Sequence, residues 1–244
     1  AGWALDYVVQ SASGSYIGLP DSDIAEGFAA LANNPQQQLI WHTLFLLLTS
    51  AIVGLGVTRG IGNAVNLLMP ILFLLLLVLL GYAFQYGDFN AALEFMFSPD
   101  FSKLSREAIL VAMGHAFFTL SLGMGTVMVY GSYMPDKVSI PGSVLTIAFL
   151  DTAIALVAGM TIFPLVFASG LEPGSGPGLL FETLPIAFSS MWNGAFFGAG
   201  FFLLISIAAL SSAISLIEPG IAWLEKIGIN RVMATLGLAL ICWF

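Results

Sequence analysis

Residues 114–125 read Gly114-His115-Ala116-Phe117-Phe118-Thr119-Leu120-Ser121-Leu122-Gly123-Met124-Gly125. They lie inside an apolar run from about 109 to 133, long enough to cross a bilayer as one helix. Two glycines interrupt that run just after Thr119 and Ser121. Glycine costs a helix about 1 kcal/mol relative to alanine. Inside a membrane, a break frees amides and carbonyls that only protein or ligand can satisfy. A glycine-interrupted helix at mid-membrane points to a transporter binding site. The same small residues suit close helix packing equally well. From these residues alone, both readings stand.

The surrounding chain settles the class. Of its 244 residues only 8% are charged and 59% are apolar, against roughly 25% charged in soluble domains. Mean hydropathy is +0.98. These values exclude a soluble enzyme and a disordered chain. A net charge of −8 has the wrong sign for nucleic acid. One cysteine, Cys242, excludes an internal disulfide framework. The sequence predicts an all-α polytopic membrane protein, a single transmembrane domain over 1–244. Full spans are expected at about 39–57, 65–84, 109–133, 141–168 and 196–224. Partial spans are expected at 1–9 and 232–244. With no initiator Met and no signal peptide, the chain reads as an internal fragment cut inside a helix at both ends. Short re-entrant or interfacial segments at the two ends are the alternative.

Charge gives the expected orientation. Loops 57–66, 135–140 and 225–231 hold Arg59, Lys137, Lys226 and Arg231. The intervening loops 11–38, 86–107 and 169–194 hold only Lys103 and Arg106 among the basic residues, and nine of the 14 acids. Positive residues mark the cytoplasmic side, so the first three loops are expected in the cytoplasm. The protein is then a multi-pass protein of the cell's inner, plasma membrane.

Polar residues within spans cost energy unless paired or functional. Asp151 lies about ten residues into a span without a basic neighbour. Such a carboxylate binds a cation, carries a proton, or is neutral and hydrogen-bonded. Ala208-Ala209-Leu210-Ser211-Ser212 places two hydroxyls deep in another span. Oxygen ligands suit a hard cation, whereas serine in a helix commonly bonds back to its own i−4 carbonyl. Glu218-Pro219 follows in the same span. Glu218 could seal a water path toward the cytoplasm, or be a buried structural carboxyl. His115 is more simply a structural hydrogen-bonder than a catalyst, which would need a nucleophile in contact.

At these residues the chain resembles the sodium:neurotransmitter symporter family, and within it the bacterial amino-acid transporters. GHAFFTLSLGMG resembles the family's sixth helix, usually G-Q-A-F-F-[ST]-L-S-L-G-x-G. LDTAIALVAGMTIFP resembles the seventh, AALSSAISLIEP the eighth, RGIGNAVNLLMPILF the start of the fifth, and AGW the middle of the third. The resemblance implies the leucine-transporter fold, two inverted five-helix repeats with broken first and sixth helices. This chain would hold the end of repeat one and most of repeat two.

The resemblance also implies roles. Phe118, Ser121, Met124 and Leu216 match substrate-pocket positions, Met124 standing where Phe is more usual. Thr119 and Asp151 match ligands of a first sodium ion. Asp151 replaces the usual Asn, and its charge would also stand in for chloride, which is then not required. Ala155 takes the neighbouring chloride-site position, and His115 replaces the Gln of that site. The Ala208 carbonyl with Ser211 and Ser212 matches a second sodium site. Tyr133 matches the tyrosine that supports the cytoplasmic gate. The gate's acid, eight residues beyond Glu218, is replaced by Lys226, with Glu225 beside it as the substitute. PGLLFETLPIAFSSM resembles the external re-entrant loop that caps the vestibule.

The expected function is sodium-coupled import of a small amino acid by alternating access. Met124 and Leu216 lean toward a hydrophobic or aromatic substrate. The expected partners are that substrate, the lipid bilayer and, in a homodimer, a second copy; no nucleic acid is expected. Both sodium sites would be completed by the family's first helix, which this chain does not match, so the chain alone is expected not to transport. Two other readings compete. One is a non-transporting accessory membrane protein. The other is an intramembrane serine hydrolase using His115 with Ser121 or Ser211.

Overall fold

The computed structural model describes every residue except Ser175, and of Lys103 the backbone only. Its helices run α1 (Gly2–Ser13), α2 (Asp21–Ala32), α3 (Pro35–Gly54), α4 (Asn63–Tyr86), α5 (Phe89–Phe97), α6 (Arg106–Thr119), α7 (Thr126–Ser132), α8 (Ile140–Ala168), α9 (Leu184–Ser190), α10 (Gly194–Lys226) and α11 (Arg231–Trp243). A π-helical turn, Val57–Gly62, leads into α4, and another, Leu179–Thr183, leads into α9.

Local chemistry sets these boundaries. Asn34 accepts a hydrogen bond from the Gln37 amide, with Pro35 opening α3. Ser139 accepts from the Gly142 amide at the start of α8. Ser105 caps α6 through the Ala108 amide, and Asp88 caps α5 through the Ala91 amide. Among the described residues, four helical stretches are long and apolar enough to cross a membrane: Pro35–Gly54, Val57–Tyr86, Ile140–Ala168 and Gly194–Lys226. The apolar run at 109–133 is not one of them, because it divides into α6 and α7. The stretches read as long outer loops contain helices of their own, α2, α5 and α9.

α10 is the axis of the structure, packing against α1, α3, α4, α7, α9 and α11. One buried cluster joins α1, α4 and α10 to the α9 region through Tyr7, Leu79, Tyr82, Phe181, Phe188 and Phe202. A smaller one, Val53, Ile61, Ile214, Ile221 and Ala234, ties α3 and α11 to α10.

In the first cluster, Tyr7 is 2% exposed. Its hydroxyl donates to the Phe181 carbonyl at 2.8 Å. Pro185 lies four residues past Phe181 and has no N–H, so that carbonyl lacks an α-helical donor. The tyrosine supplies one from a distant helix and pins the turn before α9 to α1. Tyr7→Phe keeps the ring and removes the donor, so it should cost about 1–3 kcal/mol. Thermal unfolding in detergent measures this. An unchanged midpoint would show that the carbonyl has another donor.

Candidate functional site at the broken helix

α6 ends in a Schellman arrangement. The Leu122 amide donates to the Phe117 carbonyl at 2.9 Å, and the Ser121 amide to the Phe118 carbonyl at 3.0 Å. The left-handed position in this motif usually holds glycine, yet here it holds Ser121, with φ 54°. An L-residue there is strained, and such strain clusters at ligand sites. Gly123 (φ 81°) and Gly125 (φ 79°) then turn the chain into α7. Residues 120–125 thus leave the helical path in the middle of an apolar run.

Three of the four residues matched to the substrate pocket lie at this break, whereas Leu216 lines a separate cavity with Phe45, Thr49 and Leu238. Phe118, Ser121 and Met124 are exposed or partly exposed beside the break, and no residue of α6 is buried. Leu216 is on α10, one turn past Ser212. The His115 side chain makes no hydrogen bond among the described residues, to Ser121, Ser211 or any other group.

On α10, Ser211 and Ser212 bond back to their own helix. The Ser211 hydroxyl donates to the Ala208 carbonyl at 2.8 Å, and the Ser212 hydroxyl to the same carbonyl at 3.1 Å. Back-bonding therefore brings three oxygens together, a donor set suited to a hard cation. Thr119 likewise bonds back to its own helix, its hydroxyl donating to the Ala116 carbonyl at 3.3 Å. Asp151, half-buried on α8, makes no hydrogen bond or ion pair among the described residues. The structure does not join Thr119 to Asp151 directly.

A buried charged cluster lies toward the C-terminal end of α10. Glu218 is fully buried, at 0% exposure. The Tyr133 hydroxyl donates to its Oε1 at 2.8 Å. The Arg231 guanidinium donates through Nη2 to its Oε2 at 2.7 Å. Arg231 also pairs through Nη1 with Glu225 at 2.9 Å, and through Nε with the Val53 carbonyl at 2.8 Å. A buried carboxylate is tolerable when paired and hydrogen-bonded in this way. Arg231 thereby locks α3, α7, α10 and α11 into one polar knot. Sequence reasoning brought Tyr133, Glu218 and Glu225 to one gate but counted Arg231 only as a topology marker. The available signal was the unpaired Glu218, which needed a cation, with Arg231 at the end of the next short loop.

A bundle of helices long and apolar enough to cross a membrane, with one apolar run broken midway, has the build of a secondary transporter. The profile of the Sodium:neurotransmitter symporter family matches residues 33–243, and the chain belongs to that family. An uncharacterized sodium-dependent transporter of Bacillus subtilis is 39% identical over 225 residues, which make up 92% of this chain and 50% of the relative. Another from Haemophilus influenzae is 36% identical over 232 residues, again 92% and 50%. The crystal structure of MhsT in complex with L-phenylalanine superposes with a TM-score of 0.89 at 41% identity, covering 99% of this chain and 55% of MhsT. The chain therefore has the all-α leucine-transporter fold and is a multi-pass membrane protein. It spans about half the length of the curated relatives it matches. The family consists of transporters, not enzymes, so the hydrolase reading is set aside.

Proposed function

We propose that this chain forms part of the transport core of a sodium-coupled symporter that imports a hydrophobic or aromatic amino acid by alternating access. The break at 120–125 carries the reading, because it opens backbone polar groups in the same bundle as the oxygen cluster of α10. Phe118, Ser121, Met124 and Leu216 contact the side chain and backbone of the substrate. Sodium travels with it as cargo at two sites. Thr119 and Asp151 serve one, and the Ala208 carbonyl with the Ser211 and Ser212 hydroxyls serves the other. Asp151 carries the negative charge that chloride would otherwise supply, and His115 and Ala155 occupy the rest of that position. The substrate class is supported by the apolar residues around the break and by the L-phenylalanine bound in MhsT.

In this reading the end of the bundle bearing Arg59, Lys137, Lys226 and Arg231 faces the cytoplasm. The knot of Tyr133, Glu218, Glu225 and Arg231 holds that end shut, and loss of sodium from Ser211 and Ser212 releases it. The protein resides in the cell's inner membrane, and a homodimer is compatible with this arrangement. The test uses the natural full-length protein in proteoliposomes with radiolabelled L-phenylalanine and L-leucine. Uptake should require an inward sodium gradient and persist when gluconate replaces chloride. Uptake indifferent to sodium would overturn the proposal.

A further inference from the structure

We propose that Thr126 is a positioning residue that clamps α7 to α10 and so couples the ion cluster of α10 to the inner half of the broken helix. This rests on the symport reading above. Pro219 lies inside α10 and has no N–H. The carbonyl four residues earlier, that of Ser215, therefore loses its helical donor. The Thr126 hydroxyl supplies a donor, 3.2 Å away, from another helix. Thr126 is the first residue of α7 and is 5% exposed. The backbone just before it approaches Pro219 closely, since a Cβ at Gly125 would lie 3.4 Å from the Pro219 Cβ.

The contact joins a stretch of α10 whose own hydroxyls and carbonyls are hydrogen-bonded residue after residue. The Ser211 and Ser212 hydroxyls bond to the Ala208 carbonyl, the Ser215 hydroxyl to the Ser211 carbonyl at 3.0 Å, and Thr126 to the Ser215 carbonyl. At its other end α7 is tied to the same helix by Tyr133 and Glu218. α7 is thus fastened to α10 at both ends. Tyr133 grips a carboxylate, whereas Thr126 grips a backbone carbonyl freed by proline. When α7 swings away from α10, the Ser215 carbonyl is uncovered one turn from Ser211 and Ser212, and water gains a polar foothold beside the cation. With the clamp closed, that foothold is filled by protein.

The experiment compares the full-length wild type with Thr126→Val, Thr126→Ser, Pro219→Ala and the double variant Thr126→Val/Pro219→Ala. Sodium dependence of radiolabelled L-phenylalanine binding and uptake is measured for each. Thr126→Val should raise the sodium concentration for half-maximal binding roughly tenfold, as expected for a buried carbonyl left without a donor. Thr126→Ser keeps the hydroxyl and should stay within about twofold of wild type. Pro219→Ala restores a backbone N–H to the Ser215 carbonyl, so adding Thr126→Val to it should change sodium dependence less than about twofold. A merely structural threonine would not show that rescue. Thr126→Val with wild-type sodium dependence, or with an equal effect in both backgrounds, overturns the clamp. If Thr126→Val cannot be recovered folded, recovery of the double variant with the sodium dependence of Pro219→Ala supports the clamp, and failure of both overturns it. A wild type that does not couple binding or uptake to sodium overturns the symport reading itself, before any variant is compared.

Discussion

Arg231→Met should destabilise the protein by about 3–5 kcal/mol, the usual cost of removing one partner from a buried ion pair. Three contacts vanish together: those to Glu218, Glu225 and the Val53 carbonyl. The contact to Glu218 dominates, because Glu225 is solvent-exposed (38% of its side chain) and an exposed pair is worth little. Glu218 would keep only the Tyr133 hydroxyl and would sit charged in a buried place, or take up a proton. The double variant Arg231→Met/Glu218→Met removes the stranded carboxylate as well, and should recover most of the loss. Melting of the detergent-solubilised protein, followed across the four-member cycle, measures both effects. If the double variant is no more stable than Arg231→Met, the loss does not come from Glu218.

Asp151→Asn should cut sodium-dependent uptake in chloride-free buffer by at least a hundredfold, with chloride restoring part of it. The carboxylate has no hydrogen-bond or ion-pair partner among the described residues. A charge at that depth is costly unless something compensates it. A unit charge about 4 Å from a cation, at an effective dielectric of about 20, contributes roughly 4 kcal/mol. Asparagine keeps the shape and an oxygen ligand but loses that attraction. Added chloride can replace the charge without replacing the side chain. Uptake measured in chloride and gluconate buffers separates the two contributions. Full, chloride-independent transport by the variant would remove Asp151 from the ion site.

Reading the sequence recovered the long helices because, in a membrane, length and apolarity suffice without any periodicity. α10 illustrates this, expected at 196–224 and found over Gly194–Lys226. The short helices α2 and α5 escaped because their runs are too brief to span and their capping signals, such as Asp88, are local and weak. The break was legible in Gly123 and Gly125, but the left-handed Ser121 was not, since serine carries no such preference. Thr126 stayed hidden for a different reason. It pairs with the Ser215 carbonyl on another element, 89 residues away, and helix packing alone brings the two together.

The length of α10 has a consequence for the membrane itself. Its 33 residues make a rod of about 50 Å, while the hydrocarbon core is about 30 Å thick. The surplus must be absorbed by tilt or by protrusion among the headgroups, and the balance between the two shifts with lipid chain length. Ser211 and Ser212 lie about 26 Å along this rod from Gly194, and Glu218 about 36 Å. A thicker or thinner bilayer that tips α10 therefore displaces the oxygen cluster and the buried carboxylate together, each relative to the helices around it. Hydrophobic mismatch then acts on one rod that carries both, and the acyl-chain length of the host membrane sets where both groups sit.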